Sequence, residues 1–201
     1  MLSELDDWGI RYLRSQELVW SGWGPRVALG GLHMPVVGTP WGVRQVEVDD
    51  PDRLRLFFLS LLWRAAASEL PESAHIVIPP DDLERLRLMI VKGTAQLRSF
   101  YAISLVQLST MGTIHNMTPL SQKKVIPTLG SSTGRTTRIF RFYFDGLLVH
   151  IHRQAHDDGY AESLGSLLVG NDRSLRLTTV TFERSFENEN LSYVLAETIT
   201  N

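Results

Sequence analysis

The pattern of apolar and polar residues divides the chain into a first half with helical periodicity and a second half with strand periodicity. Residues 3–15 place Leu5, Trp8 and Tyr12 at helical spacing, which predicts an amphipathic helix. Beyond residue 93 the period shortens to that of strands, and residues 100–110 predict the first of them. We therefore expect helices to come first and a sheet to follow.

The two helices predicted next carry clear start and stop signals. In residues 49–69 two aspartates precede Pro51, and apolar residues then cover nearly the whole circumference, which is typical of a central helix. Residues 81–92 begin with acidic side chains at the positive end of the helix dipole and are followed by Gly93. Both boundaries are consistent with a helical core.

A hairpin is predicted with Asp145 and Gly146 as its two turn residues, because Asp-Gly between apolar runs is a strong hairpin signal. His150 and His152 then lie on one face of the strand, and Arg141 lies directly across from His150. The other face is apolar and is expected to meet the core, with the pairs Phe144–Leu147, Phe142–Val149 and Phe140–Ile151.

These elements predict an α+β fold in which N-terminal helices pack on a C-terminal antiparallel sheet. We expect a single domain over residues 1–201, the length of one large domain. Within it, 1–48 holds a helix and a segment rich in Gly, Pro and Trp, 49–93 is the helical core, and 94–201 is the sheet. Residues 111–136 are long, polar and glycine-rich, so we predict a mobile loop there.

The composition is that of an ordinary globular protein, with 43% hydrophobic and 21% charged residues. The absence of cysteine excludes disulfides, thiol catalysis and zinc sites built on thiolates. The first residues carry acids where a secretion signal needs positive charge, and the most apolar stretch is too short and too rich in arginine to cross a bilayer. We expect a soluble cytoplasmic protein that does not contact membranes.

Charge is distributed unevenly along the chain. Residues 85–144 hold nine of the 20 basic residues and none of the 22 acidic ones. Such an interval predicts an anionic partner, DNA or RNA, that the loop and hairpin contact through their cations. The residues expected to bind nucleic acid are Lys123, Lys124, Arg135, Arg138 and Arg141.

The stretch "LLVHIHRQAHDD", residues 147–158, holds three of the six histidines and raises the alternative of a metal site. Its ligands would be His150, His152, His156 and either Asp157 or Asp158, around zinc, iron or manganese. The arginine predicted opposite His150 opposes a bound cation, and the set matches no recognised ligand spacing. The preferred interpretation is a half-exposed strand with imidazoles in solvent, and no cofactor.

Arg64 places a guanidinium on an otherwise apolar helix. We expect it to pair with a buried carboxylate or with strand carbonyls. The weaker alternative is that it binds an anionic ligand.

The stretch "FFLSLLWRAAA", residues 57–67, resembles a Phe-Phe-x-Ser-x-x-Trp-Arg segment of uncharacterised bacterial proteins described as HNH-endonuclease-like. The segments "LSELDDWGIRYL" and "RFYFDGLLVHI" resemble the same proteins, and the similarity covers roughly residues 1–155. In that family a Cys/His cluster precedes this region, whereas this chain has no cysteine. The resemblance therefore implies the companion, non-zinc portion of a phage-defence or mobile-element protein, and no catalytic residue can be carried over.

Three functions follow in order of preference. The first is a non-catalytic nucleic-acid-binding domain, and the second is an assembly module that contacts a nuclease-like subunit or another copy of itself. The third is a metal-dependent hydrolase at the histidines. A side chain of His150 that points into the interior, or that holds an ion together with His152, would overturn the case for a binder over a catalyst.

Overall fold

The computed structural model of this protein describes residues 2–19, 24–25, 34–35, 41–94, 101–108, 110–111, 116–126, 135–153, 167–168 and 174–180. The helices in these ranges are α1 (Leu2–Ser15), α2 (Pro51–Ala67) and α3 (Pro80–Lys92), with a 3-10 turn at Pro71–Ser73. The strands are β1 (Gly24–Pro25), β2 (Met34–Pro35), β3 (Trp41–Glu47), β4 (Tyr101–Leu108), β5 (Thr110–Met111), β6 (Asn116–Ile126), β7 (Arg135–Phe144), β8 (Leu147–Arg153), β9 (Leu167–Leu168) and β10 (Ser174–Val180).

The helix ends follow from local sequence as predicted. Asp50 caps α2 by accepting a hydrogen bond from the Arg53 N–H at 3.0 Å, and Pro51 occupies the first turn. The last turn of α3 is closed by Gly93, whose φ of +66° lies in the left-handed region that glycine adopts without strain. None of the helices in the described ranges has the length and apolarity that a bilayer crossing requires.

Helix α2 lies at the centre of the core. Every residue from Leu54 to Ser60 is buried, including the charged Arg55. Helix α1 approaches it closely at Gly9, where an added Cβ would lie 2.3 Å from Cδ2 of Phe57. The buried cluster joins these helices and α3 to residues of β4, β7 and β8, so the helices pack on the sheet and the predicted α+β fold is confirmed.

Eight strands form one sheet in the order β2-β3-β10-β4-β8-β7-β6, with β9 paired to β4 beside this path. The junctions β4–β8, β8–β7 and β7–β6 are antiparallel, as expected of the C-terminal half. The expectation is incomplete at the other end, because β3 precedes α2 and α3 in the chain and β10 runs parallel to β4. The sheet is therefore mixed and takes two strands, β2 and β3, from the N-terminal part.

The β7–β8 hairpin has the predicted register. Asp145 and Gly146 form its turn with φ of +46° and +82°, as a two-residue hairpin turn requires. The pairs Phe144–Leu147, Phe142–Val149 and Phe140–Ile151 all occur, and Arg141 lies across from His150.

The predicted loop over residues 111–136 is wrong at β6, which occupies Asn116–Ile126 and pairs with β7. Its alternation is hard to recognise because the register shifts between Met117 and Leu120, around Pro119. The segments 112–115 and 127–134 lie outside the described residues.

Both faces of the hairpin are buried. The helix face, defined by Phe140, Phe142, Leu147, Val149 and Ile151, belongs to the main core cluster. The outer face, defined by Ile139, Arg141, Tyr143, Leu148, His150 and His152, is also almost inaccessible, with each side chain 8% exposed or less. The predicted half-exposed strand is therefore wrong.

Candidate functional site

The five predicted nucleic-acid-binding residues lie on the paired strands β6 and β7. Lys123 pairs directly with Arg138, whereas Lys124 pairs with Thr137 and Arg135 with Ile126. Lys123 is exposed and Arg138 half-buried.

Arg141 differs from Lys123 and Arg138 in its position. Its side chain is only 6% exposed and belongs to the buried outer face. Its side chain therefore lies on the opposite face of the sheet from Lys123 and Arg138, and its contact with nucleic acid stays a prediction.

Three cations lie side by side across adjacent strands on the helix face, and we call Lys123, Arg138 and Arg153 the cationic row. The β7–β8 ladder ends at the pair Ile139–His152, so the next positions along it are Arg138 and Arg153. Neighbouring strands are about 4.8 Å apart, which keeps the three positions within roughly 10 Å. Arg153 was not among the predicted residues.

A cavity of about 480 Å³ opens beside the cationic row. Arg138 and Arg153 line it together with apolar groups, among them Pro79, Tyr101 and Phe140. Arg138 also reaches the carbonyl of the 76–80 segment, with 3.4 Å between its Nη1 and the Val77 oxygen. The site therefore combines cations with an apolar wall.

Asp82 is the carboxylate that contacts the cationic row. Its Oδ2 lies 2.7 Å from Nε of Arg153, and its Oδ1 accepts from Nη2 at 3.1 Å. The Tyr101 hydroxyl donates to Oδ2 at 3.2 Å, and burial, followed by the charge of Asp82, raises the pKa of Tyr101. Lys123 and Arg138 form no ion pair with the rest of the described chain, so the row keeps a net positive charge.

Arg55, a buried residue of α2, contacts β4 at this end of the sheet. Its side chain is 1% exposed, and its Nη2 donates to the Tyr101 carbonyl at 3.0 Å. Burial lowers the pKa of Arg55 and the charge of Asp52 opposes that shift. Arg55 was not among the predicted residues, although it shares with Arg64 the signal of a charged residue inside an apolar helix.

Arg64 pairs with a carboxylate, as predicted, but this carboxylate, Asp6, is partly exposed and not buried. Its Nη1 and Nη2 donate to the two oxygens of Asp6 at 2.6 and 2.9 Å, and its Nε donates to the Ser60 carbonyl at 3.3 Å. This bidentate contact fixes α1 against α2 beside a second cavity of about 350 Å³. The weaker alternative, an anionic ligand on Arg64, has no support from this geometry.

His150 and His152 lie on the predicted strand face, but they are 8% and 3% exposed. Because they are buried, the two histidines cannot be explained as solvent-exposed side chains without a function. The case for binding over catalysis must therefore rest on the cationic row.

The metal hypothesis gains no support within the described ranges, which contain no cluster of three or more potential ligands. His156, Asp157 and Asp158 lie outside those ranges. Arg141 stands opposite His150, as predicted, and its positive charge disfavours a cation there.

Comparisons of this chain with models of protein families, with curated proteins and with solved structures find no match. The resemblance to HNH-endonuclease-like proteins therefore stays a prediction.

Proposed function

We propose that this protein binds nucleic acid without cutting it, through the cationic row Lys123, Arg138 and Arg153. The observation that carries the proposal is the direct pairing of Lys123 with Arg138. Like charges opposite each other on a sheet destabilise the fold. Cations arranged in this way are accounted for by a partner that carries several negative charges.

The surroundings of the row favour a nucleotide chain over a simple anion. Phosphates require charge and reach, which an exposed lysine and two partly exposed arginines supply. The apolar wall at Pro79 and the exposed Val77 offers a surface for sugars and bases next to those charges. Tyr101 and Phe140 are too deeply buried for base stacking, so we expect little sequence preference.

Fluorescence anisotropy with labelled single-stranded DNA, duplex DNA and RNA tests the proposal. A complex that neutralises two or three phosphates gives a slope of about −2 to −3 when log affinity is plotted against log salt concentration. The variant Lys123→Glu/Arg138→Glu should lose most of the affinity, and its slope should fall by about two.

The matched control is Arg11→Glu/Lys92→Glu, which changes the net charge equally at exposed positions of α1 and α3. Its affinity should stay near that of the parent protein. Equal losses in both double variants, binding that ignores salt, or no binding at low salt would each contradict the proposal.

The alternative of an assembly module has one structural feature to consider, the long strand β6 at an edge of the described sheet. Its register shift, Pro119 and exposed Lys123 are features that discourage pairing with another strand. Strand addition at β6 is therefore the less favoured function. The phage-defence or mobile-element setting remains part of the proposal through the resemblance alone.

A further inference from the structure

A second group of polar side chains crosses the outer face of the sheet, away from the cationic row. Arg141 pairs with His150 on the neighbouring strand, and His150 pairs with Ser104 on the next. The three residues are 6%, 8% and 3% exposed. A row of buried polar residues across β7, β8 and β4 is unusual, because buried polar groups cost free energy unless they are hydrogen-bonded.

Arg141 has the least compensated charge in this row. No carboxylate of the described chain forms an ion pair with it, and its Nε has no hydrogen-bond acceptor there. Burial lowers the pKa of Arg141, and no negative charge from the described chain opposes that shift. An arginine side chain nevertheless stays protonated in proteins, so a positive charge remains in the interior.

Ser104, at the other end of the row, also has a buried polar atom, its Oγ, without a hydrogen-bond partner in the described part of the chain. Two donors without acceptors therefore flank His150 on one face, within the reach of an arginine side chain across two strand spacings of about 4.8 Å.

We propose that Arg141 and Ser104, on either side of His150, form a binding site for a phosphate group, either free inorganic phosphate or the terminal phosphate of a nucleic acid. A guanidinium and a hydroxyl match the acceptor oxygens of a tetrahedral oxyanion. The site lies on the opposite face of the sheet from the cationic row and does not depend on the proposed nucleic-acid contact.

Thermal unfolding of the full chain in phosphate-free buffer, with and without inorganic phosphate, tests the site. Phosphate at one hundred times its dissociation constant should raise the melting temperature by about 5 to 10 °C. Arg141→Met should abolish this rise. In phosphate-free buffer the same variant should melt at or above the parent temperature, because it replaces an uncompensated charge with an apolar side chain.

Two controls separate this site from the rest of the molecule. Arg55→Met alters the buried arginine whose guanidinium has a protein acceptor, so it should lower the melting temperature and keep the phosphate response. Lys123→Glu/Arg138→Glu should also keep that response, which distinguishes this site from the cationic row.

A dinucleotide with and without a 5′-phosphate identifies the source of the group. Stabilisation by inorganic phosphate indicates the free anion, and stabilisation by the phosphorylated dinucleotide alone indicates a nucleic-acid end. The proposal is overturned if no phosphate compound stabilises the parent protein, or if Arg141→Met responds as strongly as the parent. It is also overturned if Arg141→Met unfolds in phosphate-free buffer, since the charge would then be compensated within the chain.

Discussion

Both faces of the sheet are buried at the β7–β8 hairpin, but they differ in whether their buried charges have protein partners. On the helix side of the sheet the buried charges have protein partners, since Arg55 donates to the Tyr101 carbonyl and Asp82 binds Arg153. On the outer face the Arg141 charge meets no carboxylate of the described chain.

This difference shows that a polar residue can be buried without having a hydrogen-bond or ion-pair partner among the described residues. A buried charge that is paired and hydrogen-bonded is a structural element, because removing one partner exposes the other to an unfavourable environment. A buried charge without such a pair reduces stability until an opposite charge arrives. The paired buried charges on the helix side therefore indicate architecture, whereas the uncompensated charge of Arg141 on the outer face indicates a site.

The largest effect expected from this comparison comes from Leu147→Ala and Leu148→Ala. The two leucines are neighbours in β8, point to opposite faces and are both fully buried. Each truncation should lower the free energy of unfolding by about 2 to 5 kcal/mol, through lost apolar burial and the cavity left behind. Urea denaturation at neutral pH measures both values.

Leu147→Ala serves as the reference, because Leu147 belongs to the main core cluster. If the outer face were open to solvent, Leu148→Ala would cost only about 0.5 kcal/mol or less. Such a result would break the comparison and return Arg141 and the histidines to the surface.

The sequence predicted the parts of the fold that local chemistry specifies. The Asp145–Gly146 turn sets the β7–β8 register, and the caps at Asp50 and Gly93 set helix ends, so each was predictable from a few neighbouring residues. Strand β6 was missed because Pro119 and the register shift beside it interrupt its alternation.

The outer face was misjudged for a related reason. Arginine and histidine alternating with apolar residues is the pattern of a strand with one face in water. Whether such a face is covered depends on what packs against it, which the strand itself does not encode. The large side chains of Tyr143 and Leu148 on the same face were the signal in the sequence that this face is covered, and both are buried.

The candidate site was predicted only in part, since charge along the chain identified Lys123 and Arg138 but placed Arg141 with them. Arg153 and Asp82 are 71 positions apart in sequence and meet only through the packing of α3 on the sheet. A tertiary contact of this kind has no local signature. Extending the hairpin register by one pair would have brought Arg153 beside Arg138.

Alkaline pH should reduce stability through tyrosines on both faces. Burial raises the pKa of Tyr143 on the outer face to about 12, and burial with the nearby Asp82 charge raises that of Tyr101 on the helix face. Because an unfolded tyrosine ionises near pH 10, the unfolded state loses its proton first, and stability falls as pH rises above that value. The share of Tyr143 is about 2 kcal/mol by pH 12.

Urea denaturation at pH 8 to 11 and the phenolate absorbance measure these effects. Tyr143→Phe should reduce the slope of stability against pH above pH 10 and remove an absorbance change that occurs near pH 12. Loss of a group that titrates near pH 10 instead would show that Tyr143 is accessible, and with it the outer face.

The smallest effect concerns the helix face, where Asp82→Asn removes the carboxylate from Arg153. The free energy of unfolding should fall by about 1 to 2 kcal/mol, because Arg153 is half-exposed and solvent weakens the lost ion pair, while α3 loses a negative charge in its first turn. The affinity for nucleic acid should nevertheless rise, since a third cation of the row becomes available to phosphates.

Asp81→Asn is the matched control, because it removes the same charge from the same helical turn at an exposed position. If Asp82→Asn binds DNA more tightly than Asp81→Asn, the gain comes from Arg153 and the cationic row acts as a unit. If the two variants bind equally, the gain reflects net charge alone, and Arg153 belongs to the architecture of the helix face together with Arg55.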